Sequence, residues 1–113
     1  MKTLDNVARY ADMFAALGAE PRLRIVRLLL SAHPDGMVVN EIQAETGVPG
    51  STLSHHLEKL KNDELVTAER EKAFIRYRAN ADVLEELLGF LYAECCTRNK
   101  AVEPKRIAAL CKC

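Results

Sequence analysis

The chain has 113 residues, a length that suits one domain rather than several, and 49% of them are hydrophobic, enough to bury a real core. Sixteen basic residues balance sixteen acidic ones, so no global field attracts a polyanion, and any contact with nucleic acid has to come from local basic patches. Charges interrupt Met1–Arg9 before an apolar leader develops and no run approaches membrane-spanning length, so the sequence predicts a soluble, cytoplasmic protein that does not engage a membrane.

Val7, Tyr10 or Ala11, Phe14 and Leu17 recur at helical spacing and predict a first amphipathic helix closed by Gly18. Glu20-Pro21 opens a second helix, with Leu23, Val26, Leu29 and Leu30 on its apolar side down to Ser31, and His33-Pro34-Asp35-Gly36 ends it. A short third helix runs from Val38 or Val39 to Thr46 and carries Ile42, and Gly47-Val48-Pro49-Gly50 breaks it. In the fourth, over Ser51–Lys61, Leu53, Leu57 and Leu60 define the core side, and Ser51, Thr52, His55, Glu58 and Lys59 fall opposite them.

Leu65–Arg70 and Phe74–Arg78 have the β-branched and aromatic content of strands around the charged turn Glu71-Lys72-Ala73, which predicts a hairpin with a basic tip. Ala81-Asp82 starts a fifth helix whose stripe is Leu84, Leu87, Leu88, Leu91 and Cys95, with Cys96 about 100° round from it. Beyond Thr97 the composition turns basic, Pro104 prevents one continuous helix, and Arg106–Leu110 forms a short helical turn. The organisation expected is therefore a domain over residues 1–96 and a cysteine-containing extension over 97–113.

Two short helices around Gly47–Gly50, the second with a polar outer face and a basic hairpin after it, meet the requirements of a winged helix-turn-helix, mainly α with a small β-hairpin. Its second helix has to enter the major groove with small hydrogen-bonding side chains, a role that suits Ser51, Thr52, Ser54 and His55, with Lys59 on the same face. The wing has to present cations to the duplex, which suits Arg70, Lys72 and Arg76. The plainer alternative is that these are the solvated faces of an ordinary helical domain. His56, beside the leucine stripe, is expected to pack or hydrogen-bond locally, and His33 is a loop residue. The stripes of helices one (Val7, Phe14, Leu17) and five (Leu84, Leu87, Leu88, Leu91) exceed what one small core covers, so a homodimer is expected through them.

All four cysteines, Cys95, Cys96, Cys111 and Cys113, lie in the last stretch of the chain. Thiolates are soft ligands for thiophilic ions and nucleophiles in redox chemistry, and in a reducing compartment clustered cysteines serve those ends more often than structural disulfides. The plainer alternative is that cysteine is simply a small apolar side chain. With no Gly-rich loop and no C-x-x-C, a thiol-dependent enzyme is the weakest reading, and the chain is read as non-enzymatic.

Three segments in order resemble the ArsR/SmtB family of metal-sensing transcriptional repressors: Ala19–Leu29 is similar to its second-helix signature, Ser51–Leu60 to its recognition helix, and Leu65-Val66 with Arg70–Arg78 to its wing. The resemblance covers about residues 8–95. It implies a homodimer formed through the first and fifth helices that represses by binding double-stranded operator DNA and lets go when a ligand binds. The wing turn Glu71-Lys72-Ala73 departs from the family's glycine-containing turn.

The resemblance also bears on the ligand. The third-helix Cys-x-Cys of some family members is absent from Met37–Ile42, and the Asp/His site of the zinc and cobalt sensors lacks its histidines beside Asp82, Glu85 and Glu86. What remains resembles arsenic-responsive members with a Cys-Cys pair at the end of the fifth helix and a third thiolate from the C-terminal extension. As(III) or Sb(III) takes three thiolates in a trigonal pyramid, a count that Cys95, Cys96 and one of Cys111 or Cys113 satisfy, and Arg98, Lys100 and Lys112 favour the thiolate form where they lie close. The fourth cysteine keeps open a four-thiolate site for Cd(II), Pb(II) or Zn(II), and a dithiol redox or sulfide sensor.

Overall fold

The computed structural model describes residues 2–98 and 102–110, with the side chains of 6–93 and 102–110. In chain order the elements are α1 (Lys2–Leu17), α2 (Glu20–Ser31), β1 (Met37–Val38), α3 (Val39–Thr46), α4 (Gly50–Asn62), β2 (Val66–Glu71), β3 (Phe74–Ala79), α5 (Ala81–Arg98) and α6 (Pro104–Leu110). This is a winged helix-turn-helix, mainly α with one small sheet. No described helix is long and apolar enough to cross a membrane.

The chain forms two compact units that part at Val83–Leu84, inside α5.

In the N-terminal unit the core is wholly apolar among the described residues. Tyr10, Met13 and Ala16 come from α1, Ile25, Val26 and Leu29 from α2, Ile42 from α3, Leu53, Leu57 and Leu60 from α4, and Leu65, Val66 and Ala79 from the loop and strands after it. The leucine stripe of α4 is buried as its spacing required. Helices α1 and α2 correct their expected stripes. Val7 is 44% exposed, and Leu23 and Leu30 are 45% and 42% exposed, while Met13 and Ile25 take the central places. The reason is that α2 packs on α1, α3, α4 and β3 together, so the buried arc is chosen by four neighbours rather than by the strongest i, i+3, i+7 pattern.

Local chemistry sets the element ends. Pro21 in the first turn of α2 loses no hydrogen bond there, since those N–H groups lack helical partners anyway. Glu41 accepts from the Val38 N–H at 3.0 Å and so closes the start of α3. Gly47, at φ +72, ends α3 in the left-handed conformation with its N–H on the Gln43 carbonyl. Helix α4 ends with the same geometry without a glycine. Glu64 sits at φ +66, its N–H on the Lys61 carbonyl and the Leu65 N–H on the Leu60 carbonyl, a Schellman closure. Asn80 then starts α5: its Oδ1 accepts from the Val83 N–H at 3.4 Å while its Nδ2 donates to the Glu64 carbonyl at 3.0 Å.

The sheet has strand order β1-β3-β2, all antiparallel. The two-residue β1 was not expected from the sequence. It pairs Met37 with Tyr77 and Val38 with Arg76, and Gly36 before it is buried at φ +74, where a Cβ would collide with the Tyr77 carbonyl oxygen. The hairpin is a two-residue turn at Lys72-Ala73, closed by the pair Glu71 and Phe74. Lys72 takes φ +56 there, a left-handed conformation that glycine adopts more readily than lysine.

In the C-terminal unit, Leu88 and Leu91 of α5 are 65% and 57% exposed. With Tyr92, Val102, Pro104 and Ile107 they line an apolar groove between α5 and α6. Helix α6 begins two residues earlier than the sequence suggested, because Pro104 suits a first turn; the Glu103 carbonyl accepts from the N–H groups of Arg106 and Ile107.

Candidate nucleic-acid interface

Helix α4 is the element on which the candidate surface is built. Its buried leucines fix its rotation, and Ser51, Thr52, Ser54, His55, Glu58 and Lys59 are all exposed. The N-terminal half therefore presents three hydroxyls and an imidazole with no charged side chain among them, while charges begin at Glu58. Lys59 is partly committed: its Nζ lies 3.1 Å from Asp63 Oδ2, one helical turn on. That leaves hydrogen bonding rather than charge as the chief chemistry of this face.

His56 is the side chain that tells how α4 is held. Its Nδ1 lies 3.4 Å from Arg22 Nη1, and Arg22 Nε donates to the Ala16 carbonyl at 2.7 Å. A guanidinium only donates, so this contact makes Nδ1 the acceptor of a neutral imidazole. Burial, then the Arg22 charge, then neighbouring His55 all hold its pKa below the usual histidine value. Arg22 thus joins the last turn of α1, the first turn of α2 and the middle of α4. This local role for His56 was legible from its place beside the leucines.

The hairpin divides its charges between two faces. On one, Glu69, Glu71, Arg76 and Arg78 interlock: Arg76 Nε donates to Glu71 at 2.9 Å, and Arg78 Nη1 donates to Glu69 at 2.9 Å. The same arginines reach back to the segment before β1, Arg76 Nη1 to the Gly36 carbonyl at 3.3 Å and Arg78 Nε to the Pro34 carbonyl at 3.1 Å. Arg76, named from sequence as a wing cation, is therefore engaged inside the sheet. Arg70 lies on the other face, and it and Lys72 stand exposed near the tip without an ion pair among the described residues. The alternation of Glu69 and Glu71 against Arg76 and Arg78 was a readable sign of this pairing, because the antiparallel register sets Glu69 opposite Arg76 and makes the bonded pairs diagonal neighbours on one face. Tyr77, partly buried near Glu58, has its phenol pKa raised by burial and then by that carboxylate, so the hairpin root approaches α4.

Of the cysteines, Cys95 and Cys96 lie on the backbone of α5 with their side chains outside the described set, and Cys111 and Cys113 lie outside the described residues. Among the described residues no group of three or more His, Cys, Asp or Glu side chains gathers as a metal site.

Residues 14–69 match a family model described as a helix-turn-helix domain. The chain is 33% identical over 85 residues to an uncharacterised HTH-type transcriptional regulator, MJ1325, of Methanocaldococcus jannaschii, covering 75% of this chain and 93% of the relative. Among solved structures it resembles the homodimeric winged helix-turn-helix DNA-binding domain of Mb0332, a possible ArsR-family regulator from Mycobacterium bovis, at 29% identity and TM-score 0.67 over 83% of this chain and 86% of that one. It also resembles a possible transcriptional regulator for arsenical resistance, at 26% identity and TM-score 0.64 over 87% of this chain and 94% of that one.

Proposed function

The chain belongs to the ArsR family of helix-turn-helix transcriptional regulators, and from that premise we propose that it is a homodimeric repressor of a double-stranded operator, released when As(III) or Sb(III) binds thiolates near its C-terminus. The observation that carries the DNA half is the exposed, uncharged, hydrogen-bonding N-terminal half of α4, held by Arg22 and flanked by a wing with Arg70 and Lys72 at its tip. Ser51, Thr52, Ser54 and His55 read base edges in the major groove, and the two tip cations contact phosphate. With zero net charge, binding rests on these few contacts.

A dimer places two copies of α4 one duplex turn, about 34 Å, apart. Exposed Val7 on α1 and Leu88 and Leu91 on α5 supply apolar surface for the seam, in keeping with the homodimeric Mycobacterium bovis relative.

The ligand half rests on chemistry and on likeness. Cys95 and Cys96 are adjacent on α5, so a common ion needs a further thiolate, from Cys111 or Cys113. A relative described as a possible regulator for arsenical resistance supports the same choice. Drawing the tail onto α5 reorients the seam, and the α4 copies no longer match the operator. Two further readings of the four thiols remain: a Cd(II), Pb(II) or Zn(II) site using all of them, and a dithiol redox or sulfide sensor.

One titration separates these readings. A duplex selected by the protein from a random-sequence pool is followed by mobility shift against arsenite, cadmium, zinc and peroxide. Arsenite is expected to release it, and the Cys95→Ser, Cys96→Ser double variant is expected to bind the duplex and ignore arsenite. Arsenite release that survives in the double variant removes this site. Cys111→Ser and Cys113→Ser are expected to differ in severity at a three-thiolate site and to be equally severe at a four-thiolate one.

A further inference from the structure

Phe74 is 54% exposed at the wing tip, the only aromatic ring among the exposed large apolar side chains of the described residues, and Ile75 beside it is 39% exposed. Covering such a ring with a partner would gain the free energy of apolar burial that exposure forgoes. Its surroundings indicate what covers it. Glu71, directly opposite Phe74, is held by Arg76 at 2.9 Å and lies 3.9 Å from Arg78, so its charge is compensated. Arg70, on the opposite face of the hairpin, and Lys72, in the turn two residues before the ring, are left as the tip's available cations. An apolar point on a tip that also carries two such cations complements a narrow polyanionic cleft.

We propose that Phe74 is a wedge that the wing tip inserts into the minor groove of the bound duplex, opening a flexible pyrimidine–purine step while Arg70 and Lys72 anchor the flanking phosphates. The minor groove is about 6 Å wide, which admits a two-residue tip and one ring but not a whole two-stranded ribbon. The turn at Lys72-Ala73 is that narrow, and its geometry is fixed by the positive φ of Lys72 and by arginines locked lower in the sheet. Apolar side chains placed this way partly unstack a step and bend the duplex, and steps such as TpA and CpA yield most readily. Phe74 would thus add sequence preference where the protein makes no hydrogen bond to a base.

The inference rests on the DNA-binding reading above, and its test keeps the two apart. On the duplex selected by wild-type protein, Phe74→Ala is expected to lose about tenfold in affinity and most of the bend, measured by energy transfer between dyes on the duplex ends. Phe74→Leu, which keeps an apolar point, is expected to retain most of both. The salt slope should stay unchanged in both variants, since no phosphate contact is removed. Replacing the pyrimidine–purine step under the tip by GpC should weaken the wild type and leave Phe74→Ala indifferent, a readout that also works if the alanine variant folds poorly, through the wild-type arm. Equal bend and affinity for wild type and Phe74→Ala overturn the wedge while leaving DNA binding in place. A wild-type protein that selects no duplex overturns both.

Discussion

Helix α4 and the β2–β3 hairpin are the two parts of the surface proposed to meet DNA, and they are built on opposite plans. The helix is anchored by apolar burial beneath and offers uncharged polar groups outward. The hairpin is rich in charge, yet four of its charged side chains, Glu69, Glu71, Arg76 and Arg78, are occupied with one another and with the segment at Pro34–Gly36. A charge count overstates what such a wing offers a phosphate. The cations that matter are those that register leaves unpaired.

The comparison is broken most severely from below the helix. Leu57 is fully buried, and Leu57→Ala is expected to destabilise the protein by about 2–5 kcal/mol in denaturant melts, the range for emptying a packed core site. Above the helix the outcome inverts. Ser54→Ala and His55→Ala should leave melting unchanged and weaken binding to the selected duplex by about 1–3 kcal/mol if either makes a base contact.

The wing sharpens the contrast. Lys72→Ala is expected to lower the salt slope of binding by about 1 with fold intact. Arg76→Ala should leave that slope near its starting value and instead lower the denaturant midpoint, as its hydrogen bonds to Glu71 and Gly36 vanish. Equal slopes for both variants would erase the distinction between paired and unpaired wing cations.

A smaller effect concerns pH. His56 holds its proton less tightly in the fold than in the unfolded chain, because burial, Arg22 and His55 all oppose its charge. Its folded pKa is lowered, so the stability tied to neutral His56 is complete above the unfolded value of about 6.5 and declines as pH falls below it. Denaturant midpoints at pH 7.5 and 5.5 should therefore differ less in His56→Gln than in wild type.

Much of the fold was legible because its signals are local. Gly47 stops α3, the leucines of α4 are spaced for burial, and the hairpin turn falls where β-branched runs meet charge. The errors arose where several neighbours choose among options that the sequence leaves equal. Helix α2 carries apolar residues on more than half its circumference, and only packing against four elements decides that Ile25 enters and Leu23 does not. The αL conformation of Glu64 was hidden because glutamate carries no preference for it; the closure of α4 imposes it. In the candidate site, outward residues on α4 followed from periodicity, whereas the commitment of Arg76 required the β2–β3 register. The ligand residues Cys95, Cys96, Cys111 and Cys113 stand on sequence chemistry and likeness alone.

The clamp at Gly36 has a consequence for modular engineering. Because Arg76 and Arg78 grip the carbonyls of Gly36 and Pro34, and β1 completes the sheet edge, the wing is a discontinuous cassette comprising residues 34–38 as well as 66–79. A chimera that exchanges only the hairpin would bring new side chains against an old segment in which even one extra methyl at position 36 collides with the strand. Wings recombined between such regulators should travel with the loop that follows α2.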